Sequence, residues 1–207
     1  MMNNKDEIKY MANGLRTSRF HILTEQEIEA VKREIQIIGA DPYVFIFNDE
    51  DHQKTCYYPE TDKIYIAGDV LPDSNYASNN TRDLMSIRAV LAHEYYGHRP
   101  HRLEYLEDIR LHKETIPYWQ DEYRASYEAA RYCPNLSDLD KYHLIKDAID
   151  RGIEANIIIE NDGFMKEVLY GYQTKESYYT EQPGIRNETP GNIKNITEEP
   201  ENEPDLS

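Results

Sequence analysis

Ala92-His93-Glu94-Tyr95-Tyr96-Gly97-His98 decides how this chain is read. In the commoner arrangement, His-Glu-x-x-His, two imidazoles four residues apart share a helix face and hold zinc, while the Glu acts as general base on a bound water. Here one more residue separates the histidines. On an ideal α-helix, positions i and i+5 diverge by about 140°, too far for one small cation. A single π-type turn, with roughly 4.4 residues per turn, brings them back to roughly 50° apart, and such turns are rare and concentrate at functional sites. Gly97, inside the spacing, tolerates the distortion. The stretch therefore predicts a π turn that carries two ligands, His93 and His98, with Glu94 beside them as base.

The bland alternative is the exposed side of a helix, with Tyr95 and Tyr96 as packing aromatics. Against it, Leu84, Ile87, Val90 and Leu91 recur at helical spacing, so residues 82–97 read as an amphipathic helix entering the core, capped by Asn80 or Thr81 and stopped by Pro100. Polar groups at the buried end of such a helix need partners, and a metal is one. Catalytic zinc takes a third side chain and leaves a position for water. His101, His112 and Glu104 are reachable through loops, with Glu128 as a further fallback, but Glu122 is favoured. It lies near the start of a second helix, Trp119 to Ala130, which begins after Pro117 and ends at Cys133-Pro134. Ala125, Ala129 and Ala130 give that helix a stripe of small residues suited to close packing.

The hexapeptide from His93 to His98 is similar to the His-Glu-x-x-Gly-His motif of the dipeptidyl peptidase III family of zinc peptidases. Asp121-Glu122-Tyr123-Arg124-Ala125-Ser126 resembles that family's second motif, Glu-Glu-Cys-Arg-Ala-Glu. The resemblance implies His93, His98 and Glu122 as zinc ligands, Glu94 as base and Asp121 as an acid behind a ligand. It covers only these two hexapeptides. Ser126 stands where the second motif ends in Glu, the motifs lie closer together, and the chain is too short for the family's two-lobed architecture. Membership of the broader gluzincin group is therefore expected, and dipeptidyl peptidase action is not. Peptidases of this kind resemble one another in meeting the oxyanion with a Tyr or His, for which Tyr123, Tyr127 and His143 are candidates.

The expected reaction is zinc-assisted hydrolysis of a peptide or protein substrate. Zinc would lower the pKa of its water from about 16 toward 7, and Glu94 would pass the proton to the leaving amine. The rivals are a structural zinc site closed by His101 or Asp121, and a metal-free acidic module that binds a basic partner.

The flanking sequence predicts an α+β fold: a small antiparallel sheet packed on the motif helix and further helices, a minimal zincin-like domain. Strands are expected at 42–47, 55–58 and 63–67, with a turn at Pro59–Asp62 and the stretch Ile64 to Ala67 as an edge open to substrate backbone. Thr24 and Glu27 form a capping-box pattern before Ile28, Val31 and Ile35, and Ser137 caps a helix through about Arg151 with Gly152 as stop. Residues 1–20 read as an N-terminal segment, 21–172 as the domain, and 173–207 as an acidic tail too polar to order itself.

With 39 acidic against 23 basic residues and a net charge of −16, a nucleic-acid backbone is not an expected partner. No signal peptide or membrane-span-length apolar run is visible, so a cytoplasmic location is expected, and Cys56 and Cys133 are expected as free thiols. Oligomeric state has no signal in the sequence.

Overall fold

The computed structural model describes residues 16–72 and 81–181, with 173–181 described by backbone alone. The N-terminal segment up to residue 15, the cap candidate Asn80 and the acidic stretch after residue 181 lie outside the described residues. The fold is α+β. Helix α1 (Glu25–Ile37) starts at the expected capping box: the Thr24 hydroxyl accepts from the Glu27 N–H, and the Glu27 carboxylate accepts from the Thr24 N–H at 2.9 Å. Gly39, at φ 68°, takes the left-handed turn that ends it.

The sheet consists of β1 (Phe45–Phe47), β2 (Cys56–Tyr58) and β3 (Lys63–Ile66), in the order β1-β3-β2. The pair β2–β3 is the antiparallel hairpin expected from the Pro59–Asp62 turn, but β1 runs parallel to β3, so the sheet is mixed and not antiparallel. The stretch from Ile64 is correspondingly central and not an edge. Its burial explains why: Ile64, Tyr65 and Ile66 are all buried, so both faces of β3 are covered. The edge beside the motif helix is β2.

The motif segment is more broken than one helix from 82 to 97. Thr81–Leu84 form a 3-10 turn, and Ser86, not Asn80 or Thr81, caps α2 (Ile87–Ala92) by accepting the Ala89 N–H at 3.0 Å. His93–His98 then form a π-helical turn. Pro100 does not stop the chain. It sits in the first turn of a 3-10 segment, Arg99–His101, that continues into α3 (Arg102–Leu111), where a missing N–H leaves nothing unpaired.

Helix α4 (Tyr118–Tyr132) begins after Pro117 as expected. Helix α5 (Asp138–Glu154) starts at a Ser137–Asp140 capping box and runs through Gly152, and α6 (Gly163–Glu181) crosses the boundary expected at 172. Val31 and Ile35 of α1, Ile64 and Ile66 of β3, Leu91 of α2 and Leu144 of α5 belong to one buried cluster. No helix of the described residues is long and apolar enough to cross a membrane.

The close approach that positions the site is between the π turn and α4. A Cβ added at Gly97 would lie 2.4 Å from the Ala125 carbonyl oxygen and 2.7 Å from its Cα. Gly97 is thus required for backbone proximity, not for an unusual dihedral. Gly97→Ala should destabilise the protein by about 1–3 kcal/mol, as other overpacked sites do. Denaturant unfolding checks this, and an unchanged midpoint would mean that the two segments are not in contact.

Candidate metal centre

The π turn does what the spacing demanded. His93 and His98 point the same way, with their Nε2 atoms 3.0 Å apart. From α4, Glu122 brings one carboxylate oxygen to 3.6 Å from His93 Nε2 and the other to 3.8 Å from His98 Nε2. The contact at Gly97 makes this possible, because Asp121, Glu122 and Ser126 flank Ala125 on the face of α4 pressed against the turn.

The protons of the two rings can be placed by elimination. The Ser126 hydroxyl has one hydrogen and donates it to Asp147 Oδ2 at 2.6 Å, so it accepts from His93 Nδ1–H at 2.9 Å. In the same way the Tyr105 hydroxyl donates to Asp121 Oδ1 at 2.7 Å and accepts from His98 Nδ1–H at 3.0 Å. Each neutral imidazole therefore carries its hydrogen on Nδ1, and both Nε2 lone pairs face the same space as the Glu122 carboxylate. Three Lewis-basic groups so placed repel one another unless a cation sits among them.

The site can hold a metal ion, since the three donors lie within 4.8 Å of one another. The nitrogens are 3.0 Å apart, and each lies 3.6 or 3.8 Å from a different oxygen of Glu122, slightly more than the edge of roughly 3.3 Å that tetrahedral bonds of roughly 2.0–2.1 Å require. Among the described residues no fourth ligand joins them.

The surroundings fix the charges. Burial opposes ionisation of Glu122, but cations around it outweigh that, His93 and His98 in their protonated forms and then Arg151, and hold its carboxyl far below the usual range. Burial likewise opposes protonation of His93, and Glu122, Glu94 and Asp147 outweigh it, raising the imidazole's pKa. Arg151 Nη2 lies 2.7 Å from Glu122 and its Nε 3.3 Å from the fully buried Asp147. Glu94 is buried outside the ligand set, with Oε2 accepting the Tyr57 N–H of β2 at 2.8 Å. That bond uses the N–H pointing away from β3, so the edge strand is tied to the carboxylate at its midpoint.

The remaining expectations divide. His101 is held by Glu104 at 3.1 Å and Glu128 at 2.8 Å, Glu104 also pairs with Arg124, and His112 is exposed in a left-handed turn, so none of these replaces Glu122. Tyr123 and Tyr127 stack on each other away from the cluster, with Tyr123 4.0 Å from Met165 Sδ and Tyr127 donating to Asp162 at 2.5 Å. His143 is buried beside Tyr142 and borders neither cleft at the cluster. Burial pushes its pKa down, with Asp140 opposing. The tyrosines that do border the clefts are Tyr57, Tyr105 and Tyr118, the last bordering both. Tyr118 precedes Glu122 by one helical turn, the spacing that would have found it.

Compared with protein-family models, curated proteins and solved structures, the chain matches none of them. Ser126→Ala and Tyr105→Phe should each weaken binding of a divalent ion by about 10- to 100-fold while the helical circular dichroism stays intact. Competition with a chromogenic chelator measures this, and wild-type affinity in both variants would show that the hydroxyls do not hold the rings.

Proposed function

We propose that the chain is a zinc-dependent peptidase. The observation that carries this reading is the meeting of two imidazole lone pairs and a carboxylate at one point, with a second carboxylate, Glu94, bordering the same cleft and left out of the ligand set. Two nitrogens and one oxygen suit zinc, and three protein donors with no fourth among the described residues suit a catalytic site better than a closed structural one. The two-hexapeptide resemblance to the His-Glu-x-x-Gly-His peptidases supports the same assignment.

His93, His98 and Glu122 would hold the ion, which supplies Lewis-acid polarisation of the scissile carbonyl and the attacking water. Glu94, steadied by the Tyr57 N–H, would accept the proton of that water and return it to the departing nitrogen. Tyr118, which borders both clefts, would take the place of Tyr123, Tyr127 and His143 as the donor to the carbonyl oxygen. Arg151 holds the Glu122 carboxylate in place and Asp147 orients His93 through Ser126.

Purified protein should carry one zinc per chain by elemental analysis, and Glu122→Ala should lose most of it. Metal-free wild type would remove the zinc reading. Glu94→Gln should retain the ion and lose hydrolysis of a denatured protein substrate by a factor of about 100 or more. Cleavage at the wild-type rate would take Glu94 out of the role.

A further inference from the structure

Two clefts meet at the cluster, and His98, Glu122, Cys56 and Tyr118 border both. Their walls differ. One, of about 300 Å³, is faced by charged groups that include Lys54, Asp69, Arg82 and Arg151. The other, of about 350 Å³, is walled by Pro59 after β2, Tyr105 and Ile109 of α3, Ile116, and Tyr118 of α4.

Of the acids around this second cleft, Glu114 is exposed to water, while Asp108 and Asp121 have partners within the protein. Asp108 accepts the Thr115 N–H at 2.9 Å and also its hydroxyl, and Asp121 is taken by Tyr105 and Arg124. The Thr115 bonds pin the loop before α4 to α3 and so set Ile116 in the wall. Ile109 is 45 % exposed and Tyr118 62 %, apolar surface left facing solvent directly beside two metal-ligand candidates.

Resting on the peptidase reading, we propose that this cavity receives a bulky aliphatic or aromatic side chain of the substrate residue adjoining the scissile bond, so that the substrate class is peptides with an apolar residue there. The volume is that of a small ligand pocket. Asp108 and Asp121 are already satisfied internally, and Glu114 is exposed, where pairing with a cation is worth little, so a charged side chain gains less by entering than an apolar one gains from Tyr105, Ile109, Ile116 and Tyr118. Removing an apolar side chain of leucine or phenylalanine size from water is worth roughly 10- to 100-fold in affinity.

The test uses the zinc-loaded full chain and two probes that share one metal-binding head, acetohydroxamate and phenylpropanohydroxamate, with binding followed by titration calorimetry. The aryl probe should bind roughly 10- to 100-fold more tightly. Ile116→Asp should erase that advantage and leave acetohydroxamate affinity as in wild type. Helix α3 contributes no fully buried residue, so Ile109→Asp gives a second variant with the same expectation and little risk to the fold.

Equal affinity of the two probes in wild type, or an advantage that survives in both variants, would overturn the proposal. Tighter binding of aminohexanohydroxamate than of the aryl probe would also overturn it, since the cavity would then select a cation. Failure of acetohydroxamate to bind at all would instead remove the metal reading and this one with it. The preference is read whether or not any peptide is cleaved, so loss of hydrolysis alone leaves the two readings distinguishable.

Discussion

At the crossing of α4 with the π turn no side chain fits between Gly97 and Ala125, and the site depends on that contact. A methyl group at Gly97 would push α4 outward. Glu122 and Ser126 lie either side of Ala125 on the same helix, so they would retreat together, one from the lone-pair side of the histidines and the other from the Nδ1 side. A single backbone proximity thus sets both the third donor and the orientation of His93. The buried alanines of α4, Ala125, Ala129 and Ala130, keep the helix close along its length, and the π turn aims the imidazoles at what it carries.

The polar groups behind the cluster form a closed circuit. His93 leans on Ser126, Ser126 on Asp147, Asp147 on Arg151, and Arg151 on Glu122, which faces His93 again. Burying several ionisable groups in a small domain is costly unless each has a partner, and packed hydrocarbon of the same volume would commonly be as stable. Such a circuit is therefore better explained by a cation that the cluster could hold than by stability. His98 is held by a parallel device, a tyrosine hydroxyl between ring and carboxylate. In both cases a hydroxyl stands between histidine and acid, which lets Ser126 occupy a position where the resembling motif has Glu.

Much of this was legible in the sequence because it is local. The i,i+5 spacing of His93 and His98 demands a π turn if both are to serve one ion. Thr24 with Glu27, and Ser137 with Asp140, satisfy helix-start N–H groups by chemistry visible within four residues. Glu122 followed from a helix start after Pro117 and a small-residue stripe. The misses are mostly non-local. The parallel pairing of β1 with β3 depends on how the chain from 48 to 55 crosses, and no periodicity encodes that. Asp147 and Arg151 reach the site from α5, a helix with no motif of its own. Tyr123 and Tyr127 are a different case: on α4 they lie about 100° and 140° around the axis from Glu122, whereas Tyr118 and Ser126, four residues either side, share its face. Attention to azimuth, not only to residue type, separates them.

The proposed base and the candidate ligands hang from different parts of the scaffold. His93 and His98 ride on the helical turn, while Glu94, although next to His93 in the chain, is moored to the hairpin through the Tyr57 amide. A small tilt of the hairpin would move Glu94 and leave the candidate ligands untouched. Were the chain the peptidase proposed above, full occupancy by an ion would be a poor proxy for catalytic competence, and whatever presses on the outer rim of the sheet would hold a lever on turnover that ion titrations would never register.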